Sequence, residues 1–433
     1  MSEKNLLTHQ QTFAKVNASL ARRRAAERRF IWLGRLAIIA SLGFLLLLFG
    51  NIGSQGISAF RQTFIALNIH FDPTLLSPEG QHDLETLGKA NYNKLVKQAL
   101  LATFPDVTQR HEKKALYALI SSGAQFQLRE TLLDNPDLLG QRQTLWLAAD
   151  DRVDMLIKGE IQLDEHGQSP HFNPKQLNWL QQLQARQLLE KRFNGLFFSN
   201  GDSREPELAG ILGALMGSFY MLLVTLAFSF PVGVAAAIYL EEFAPVNRWT
   251  DWIEININNL AAVPSIVFGL LGLAVFLNFF DLPRSTPLVG GMVLSLMTLP
   301  TFIISSRAAL KAVPPSIREA ALGVGASKLQ AIFHHVLPLA LPGMLTGTII
   351  GMARALGDTA PLLMIGMVAF IVDIPNGFTE PATALPVQIY LWADSPERAF
   401  VEKTSAAIMV LLLFLIAMNA VAVYLRSKLE RRW

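Results

Sequence analysis

Residues 318–343 read REAALGVGASKLQAIFHHVLPLALPG. Glu319, Ala320 and Ala321 make a compact helical start, with small side chains suited to a partner's groove. Gly323 and Gly325 permit a sharp break, because glycine takes left-handed backbone without a Cβ clash. Leu329, Ile332 and Phe333 then resume an apolar face at helical spacing, and Pro338 and Pro342 lead into a long apolar run. Upstream, Pro314 and Pro315 are expected to end a helix, with Ser316 capping the next. The pattern predicts a helix–bend–helix held close to a membrane.

The composition around this loop agrees. The chain has 433 residues, 51% hydrophobic and only 16% charged, against roughly 25% charged in an average soluble domain. Mean hydropathy is positive. Net charge is +3, which gives no case for nucleic acid. The absence of cysteine excludes disulfides, thiol catalysis and cysteine-ligated metals. A membrane helix needs about 20 apolar residues. Charge-free stretches run over 36–60, 208–240, 255–280, 285–306 and 404–425, and a sixth window after Lys328 is interrupted by Arg354 and Asp358. No cleavable leader is read before the first window, which is expected to stay as an anchor. An all-α polytopic membrane protein with six transmembrane helices is expected.

Basic residues near the span ends set the direction. Arg22, Arg23, Arg24, Arg28, Arg29 and Arg35 precede the first span, and Arg426, Lys428, Arg431 and Arg432 follow the last. Arg307, Lys311, Arg318 and Lys328 lie between the fourth and fifth. All three groups are expected on the cytoplasmic side. Glu241, Glu242, Asp251 and Glu254 between the second and third spans lend this no support, but acidic residues weigh little in the rule. The expected division is a basic N-terminus (1–35), a first helix (36–56), an extracytoplasmic insert (57–206), a five-helix core (207–426) and a basic tail (427–433). The insert, about 150 residues of ordinary soluble composition, is long enough for a domain with its own core. Amphipathic stretches such as DLETLGKANYNKLVKQALLATF predict a mainly helical spacer or docking domain. His166 and His171 fall in a loop and form no metal motif. The segment 370–403 reads as an outer loop whose LPVQIYLWA is expected to dip into the interface. Pro231 and Pro264 are expected to break their spans. Thr225 and Ser265 can bond an anion, although hydroxyls inside spans usually serve helix contacts.

The loop resembles the hallmark of inner-membrane permeases of binding-protein-dependent ABC transporters. Glu319-Ala320-Ala321, Gly325 and Leu337-Pro338 stand at that family's spacing. His335 occupies a position that is usually aliphatic. SFYMLLVTLAFSFPVGVAAAIYLEEF (218–243), NNLAAVPSIVFGLLGL (258–273) and ARALGDTAPL (353–362) look like phosphate-type permeases, which typically carry Glu where this chain has Asp358. The likeness is strongest to the PstA-like subunit and covers about residues 208–426, not the insert. It implies a MetI-like core and transport of inorganic phosphate by alternating access. It further implies a coupling helix at Glu319–Lys328 that docks on a cassette ATPase. The implied partners are two copies of that ATPase, a second, PstC-like permease and an extracytoplasmic phosphate-binding protein. No G-x-x-x-x-G-K-[ST] loop is read, so no catalytic residue, cofactor or metal is expected in this chain.

Arg354 and Asp358 are the only charged side chains between Lys328 and Asp373. An arginine at mid-span costs roughly 2.5–3.5 kcal/mol on insertion scales. Gly343, Gly347 and Gly351 form a small-residue stripe suited to close helix contact. Arg354 and Asp358 are expected beside that stripe, near the bundle interior and paired along the helix. Either the pair only stitches helices together, or the guanidinium serves an oxyanion path with the carboxylate as its gate. Arg307 is the second candidate for that path, with topology as its rival explanation. Another oxyanion as cargo, a membrane-anchored sensor and a secondary transporter are the competing functions.

Overall fold

The computed structural model describes residues 3–77, 84–164 and 169–429. His166, Arg431 and Arg432 lie outside these. Residues up to Ser54 form a unit of their own, most of a continuous helix Glu3–Ala59. From Phe30 to Phe49 this helix exposes Phe, Leu and Ile side chains all round, as a helix surrounded by lipid does.

In the second unit, four helices are long and apolar enough to cross a membrane: 212–243, 287–311, 328–357 and 399–428. With the first span these match five of the six expected windows. The remaining window is not one straight helix. Arg248–Ala261 and Ser265–Phe279 meet at 99°, because Pro264 has no amide donor and disfavours helical backbone at Val263. Pro231, by contrast, sits inside the unbroken helix Leu212–Ile238, and Pro300 and Pro342 are likewise within helices. Neighbouring helices compensate such prolines in membrane bundles.

Helix Pro287–Lys311 is the centre of the core. A Cβ added to Gly291 would stand 2.5 Å from Val224 Cβ and 2.6 Å from the Met221 carbonyl oxygen. The opposite neighbour, Leu337–Gly357, presents the predicted stripe to the same helix. Added carbons at Gly343, Gly347 and Gly351 would strike Ala309, Ser305 and Phe302 respectively. Backbones approach this closely only where one side chain is hydrogen. Hydroxyls fasten the contact. Thr225 Oγ1 donates to the Met221 carbonyl (2.9 Å) and to that of Gly291 (3.2 Å), and Thr298 Oγ1 to Ser229 Oγ (3.1 Å). Thr225 therefore serves helix packing.

The stretch LPVQIYLWA forms helix Leu385–Ala393, packed against the bundle. Leu385, Val387, Gln388 and Trp392 are buried in the bundle, and Trp392 Nε1 donates to Asp202 Oδ1 at 2.9 Å. Tyr390 and Ala393 are exposed.

The inserted domain is mainly helical, but it is built on a sheet absent from the sequence reading. Strand β1 (Arg61–His70) runs between β2 (Arg142–Ala148) and β3 (Leu189–Phe193), antiparallel to both. Ile65, Leu67 and Ile69 of β1 lie in a core with Leu95, Leu116, Leu128 and Leu183 from the covering helices.

Gly291→Leu is expected to force the two central helices apart. Overpacking of this kind costs about 1–3 kcal/mol, which would lower the unfolding midpoint of the full chain in detergent.

Candidate functional site

The helix that carries Arg354 ends at Gly357. Asp358 follows it with φ −90° and ψ 111°, an extended conformation that takes its side chain out of helical register. The expected pair along the helix is therefore not formed: no ion pair joins Arg354 to Asp358 among the described residues. Nor does Arg354 face the bundle interior. The glycine stripe is sealed against Pro287–Lys311, and a residue three positions past Gly351 stands about 60° away around the axis. Arg354 is exposed on this chain's surface, and Asp358 is half-buried.

The chain breaks twice in this neighbourhood. Beyond Asp358 a short helix, Ala360–Met364, packs on Ser265–Gly272, where an added carbon at Gly269 would stand 2.7 Å from Pro361 Cα. Two interrupted helices thus meet a few residues beyond Arg354 in the chain. Non-helical backbone at membrane depth survives only when buried in protein or facing water.

Arg307 is placed differently. Its guanidinium is held between two carboxylates, Glu254 at 2.5 Å and Glu241 at 3.4 Å, and Lys311 also approaches Glu241 at 3.6 Å. Arg318 bonds Glu242 (2.6 Å) and the carbonyls of Leu310 (3.0 Å) and Val313 (2.8 Å). The acidic residues that seemed to oppose the topology are the partners of the basic ones. They bring the end of helix Leu212–Ile238 and the bent helix to the same end of the bundle as residues 307–318. Sequence reading missed this network because it weighed the two charge groups separately. Opposite charges flanking successive spans were the available signal.

Residues 315–331 fold as helix–bend–helix. Pro314, not Ser316, precedes helix Pro315–Gly323, and Ser316 lies within it. Gly325 takes φ +91°, the left-handed turn that favours glycine. Ser327 then caps the next segment in a reciprocal box with Gln330. Ala321 is buried, while Glu319 and Ala320 are exposed, as are Leu322, Val324 (86%), Leu329 and Phe333. Leu337 and Pro338 open helix Leu337–Gly357, and His335 is exposed in the preceding π turn. An apolar knob projecting from a polar end invites a protein partner.

Residues 229–433 match the family described as "Binding-protein-dependent transport system inner membrane component". A 31% identity to the phosphate transport system permease protein PstA of Yersinia pestis covers 49% of this chain and 71% of that protein. The chain belongs to the PstA-like branch of the binding-protein-dependent permeases. The probable ABC transporter permease protein YqgI of Bacillus subtilis is 34% identical over 36% of this chain. The chain spans about half the length of that relative, 52%. A methionine ABC transporter solved in inward-facing form aligns at 17% identity with a TM-score of 0.42, over 51% of this chain and 97% of that one. Residues 17–166 match a separate domain family of unknown function, DUF3333. The extra region of this permease is thus a recurring module.

Glu242→Gln should destabilise the permease by about 1.5–3 kcal/mol, since the Arg318 guanidinium loses its charged acceptor. Combining it with Arg318→Gln should cost less than the sum of the two single changes in a detergent unfolding assay.

Proposed function

We propose that the chain is a transmembrane permease subunit of an ATP-driven importer of inorganic phosphate. It would work in the cytoplasmic membrane with both termini inside and residues 57–206 outside. The observation that carries this is Arg354, a guanidinium unpaired among the described residues, set in an apolar run whose one other charge is Asp358, just where the helix breaks. Guanidinium offers a planar fork of donors that fits a tetrahedral oxyanion in two-point contact, which lysine does not. Its exposure on the single chain supports a conduit completed by a second permease subunit, with Arg354 facing the shared path. Asp358, displaced from the helix, is free to take the guanidinium when no anion is present. Arg307 is tied by Glu241 and Glu254, so it would contribute to the path as a latch at the inner end.

Energy would come from elsewhere. In this reading the exposed surface of Glu319, Ala320, Leu322 and Val324 seats in two-subunit cassette ATPase machinery, with one ATPase under each permease. The Gly325 turn sets the angle of that docking helix. Closure of the ATPases would then pull residues 307–338 and, through the Arg307 and Arg318 ties, the spans attached to them. A phosphate-binding protein on the other face would deliver the anion. Phosphate is chosen as cargo because the Yersinia pestis relative is a phosphate transport permease.

Arg354→Gln should abolish phosphate uptake in cells while membrane insertion and copurification of the ATPases stay unchanged. Uptake at the parental rate would remove Arg354 from the path.

A further inference from the structure

The inserted domain meets the permease core at a buried polar cluster that the transport reading does not use. Helix Asp151–Lys158 of the domain lies against the start of helix Ala399–Leu429. Lys158 Nζ bridges Asp154 Oδ2 and Glu402 Oε2, both at 2.7 Å. Asp154 Oδ1 accepts from the Thr63 backbone amide at 2.7 Å, which carries the tie into β1. Lys403 Nζ donates to the Ala209 carbonyl at 3.2 Å, fastening the segment that leads into helix Leu212–Ile238. Lys158 thus ties the inserted domain to the last helix, and Lys403 ties that helix to the start of the core.

Among these groups is a cavity of about 10 Å³, lined in part by Gln62, Asp154, Lys158, Glu207, Glu402 and Lys403. That is room for about one water. Glu207 is only 4% exposed and Gln62 only 1%. Glu207 Oε2, Glu402 Oε1 and both polar atoms of the Gln62 side chain have no hydrogen-bond partner. With Glu207 ionised, these atoms comprise three acceptor oxygens against the two N–H donors of one amide, which leaves an oxygen unmet. A proton on Glu207 turns one acceptor into a third donor, so that every oxygen left can be met, directly or through one water. No cation lies within ion-pair reach of Glu207 among the described residues.

We propose that Glu207 is a buried protonation site that locks the inserted domain to the last membrane helix, and that the lock loosens when the proton leaves. The charged groups around it set the direction. Asp150 and Asp151 at the start of the domain helix oppose a negative charge there, while the Ser121 hydroxyl favours it. Arg152 on the same helix and Lys403 on the last helix also act on it, in the attractive sense. Asp154, Glu402 and Lys158 are already engaged with one another. Burial outweighs the attractions and pushes the Glu207 carboxyl up to about 8. Because the folded value lies above the unfolded one, the stabilisation is complete below the ordinary carboxylate range and is lost as pH rises through about 8.

The chain has no cysteine, so Glu160→Cys and Arg398→Cys place two spin labels on exposed positions either side of the junction without background labelling. In the full chain in detergent, the label-to-label distance distribution should be narrow near pH 6 and broaden with a midpoint near pH 8. Adding Glu207→Gln, which keeps a donor at every pH, should hold the distribution narrow to about pH 9. Adding Lys158→Met should broaden it at every pH. A parent distribution that does not change with pH would overturn the proposal. So would broadening of the Glu207→Gln chain at the same midpoint as its parent.

Discussion

Backbone-to-backbone contact at glycine is the constraint on which the membrane core depends. Apolar side chains gain little by leaving lipid for one another, so helices in a bilayer associate through close van der Waals fit and hydrogen bonds. Helix Pro287–Lys311 meets that requirement on both sides, through its own Gly291 against Met221 and Val224 and through the partner glycines 343, 347 and 351. The three hydroxyls of Thr225, Ser229 and Thr298 lie inside the first of these contacts. The stripe uses up one face of helix Leu337–Gly357, which leaves Arg354 on another.

Charge is arranged around the slab in two ways. At the end that bears residues 307–328, acids and bases from different helices neutralise each other. At the break after Gly357, a guanidinium and a carboxylate close in sequence stay apart because the helix stops between them. The contrast is informative, since ion pairing was available to Arg354 at no more than a single extra residue of helix. Arg354, unpaired among the described residues, is unlike a structural tie such as Arg318, whose donors reach Glu242 and two carbonyls.

Much of this was legible in the residues. Apolar windows located the spans, because length and hydropathy are imposed by bilayer thickness. The glycine stripe was visible in its four-residue spacing, and the left-handed turn in Gly325. What was hidden depended on partners distant in sequence. The strand RQTFIALNIH is covered on both sides by helices, so it lacks the alternation that marks a half-exposed strand. The pairing of Glu254 with Arg307 and of Lys158 with Glu402 joins residues far apart in the chain, and no local pattern records it. Asp358 misled for a simpler reason: a helix end moved it out of the register that its spacing from Arg354 implied.

Strand β1 begins two residues after the first long helix ends and occupies the middle of the sheet. Phe64 meets no strand partner before Ala148, and Arg61 none before Phe193. During synthesis the central strand emerges first and waits, with both edges open, until most of the module has followed. Such distant pairing makes assembly slow. An arrest of elongation before Phe193 would therefore strand an apolar edge, the kind of surface that chaperones bind and that aggregates grow from.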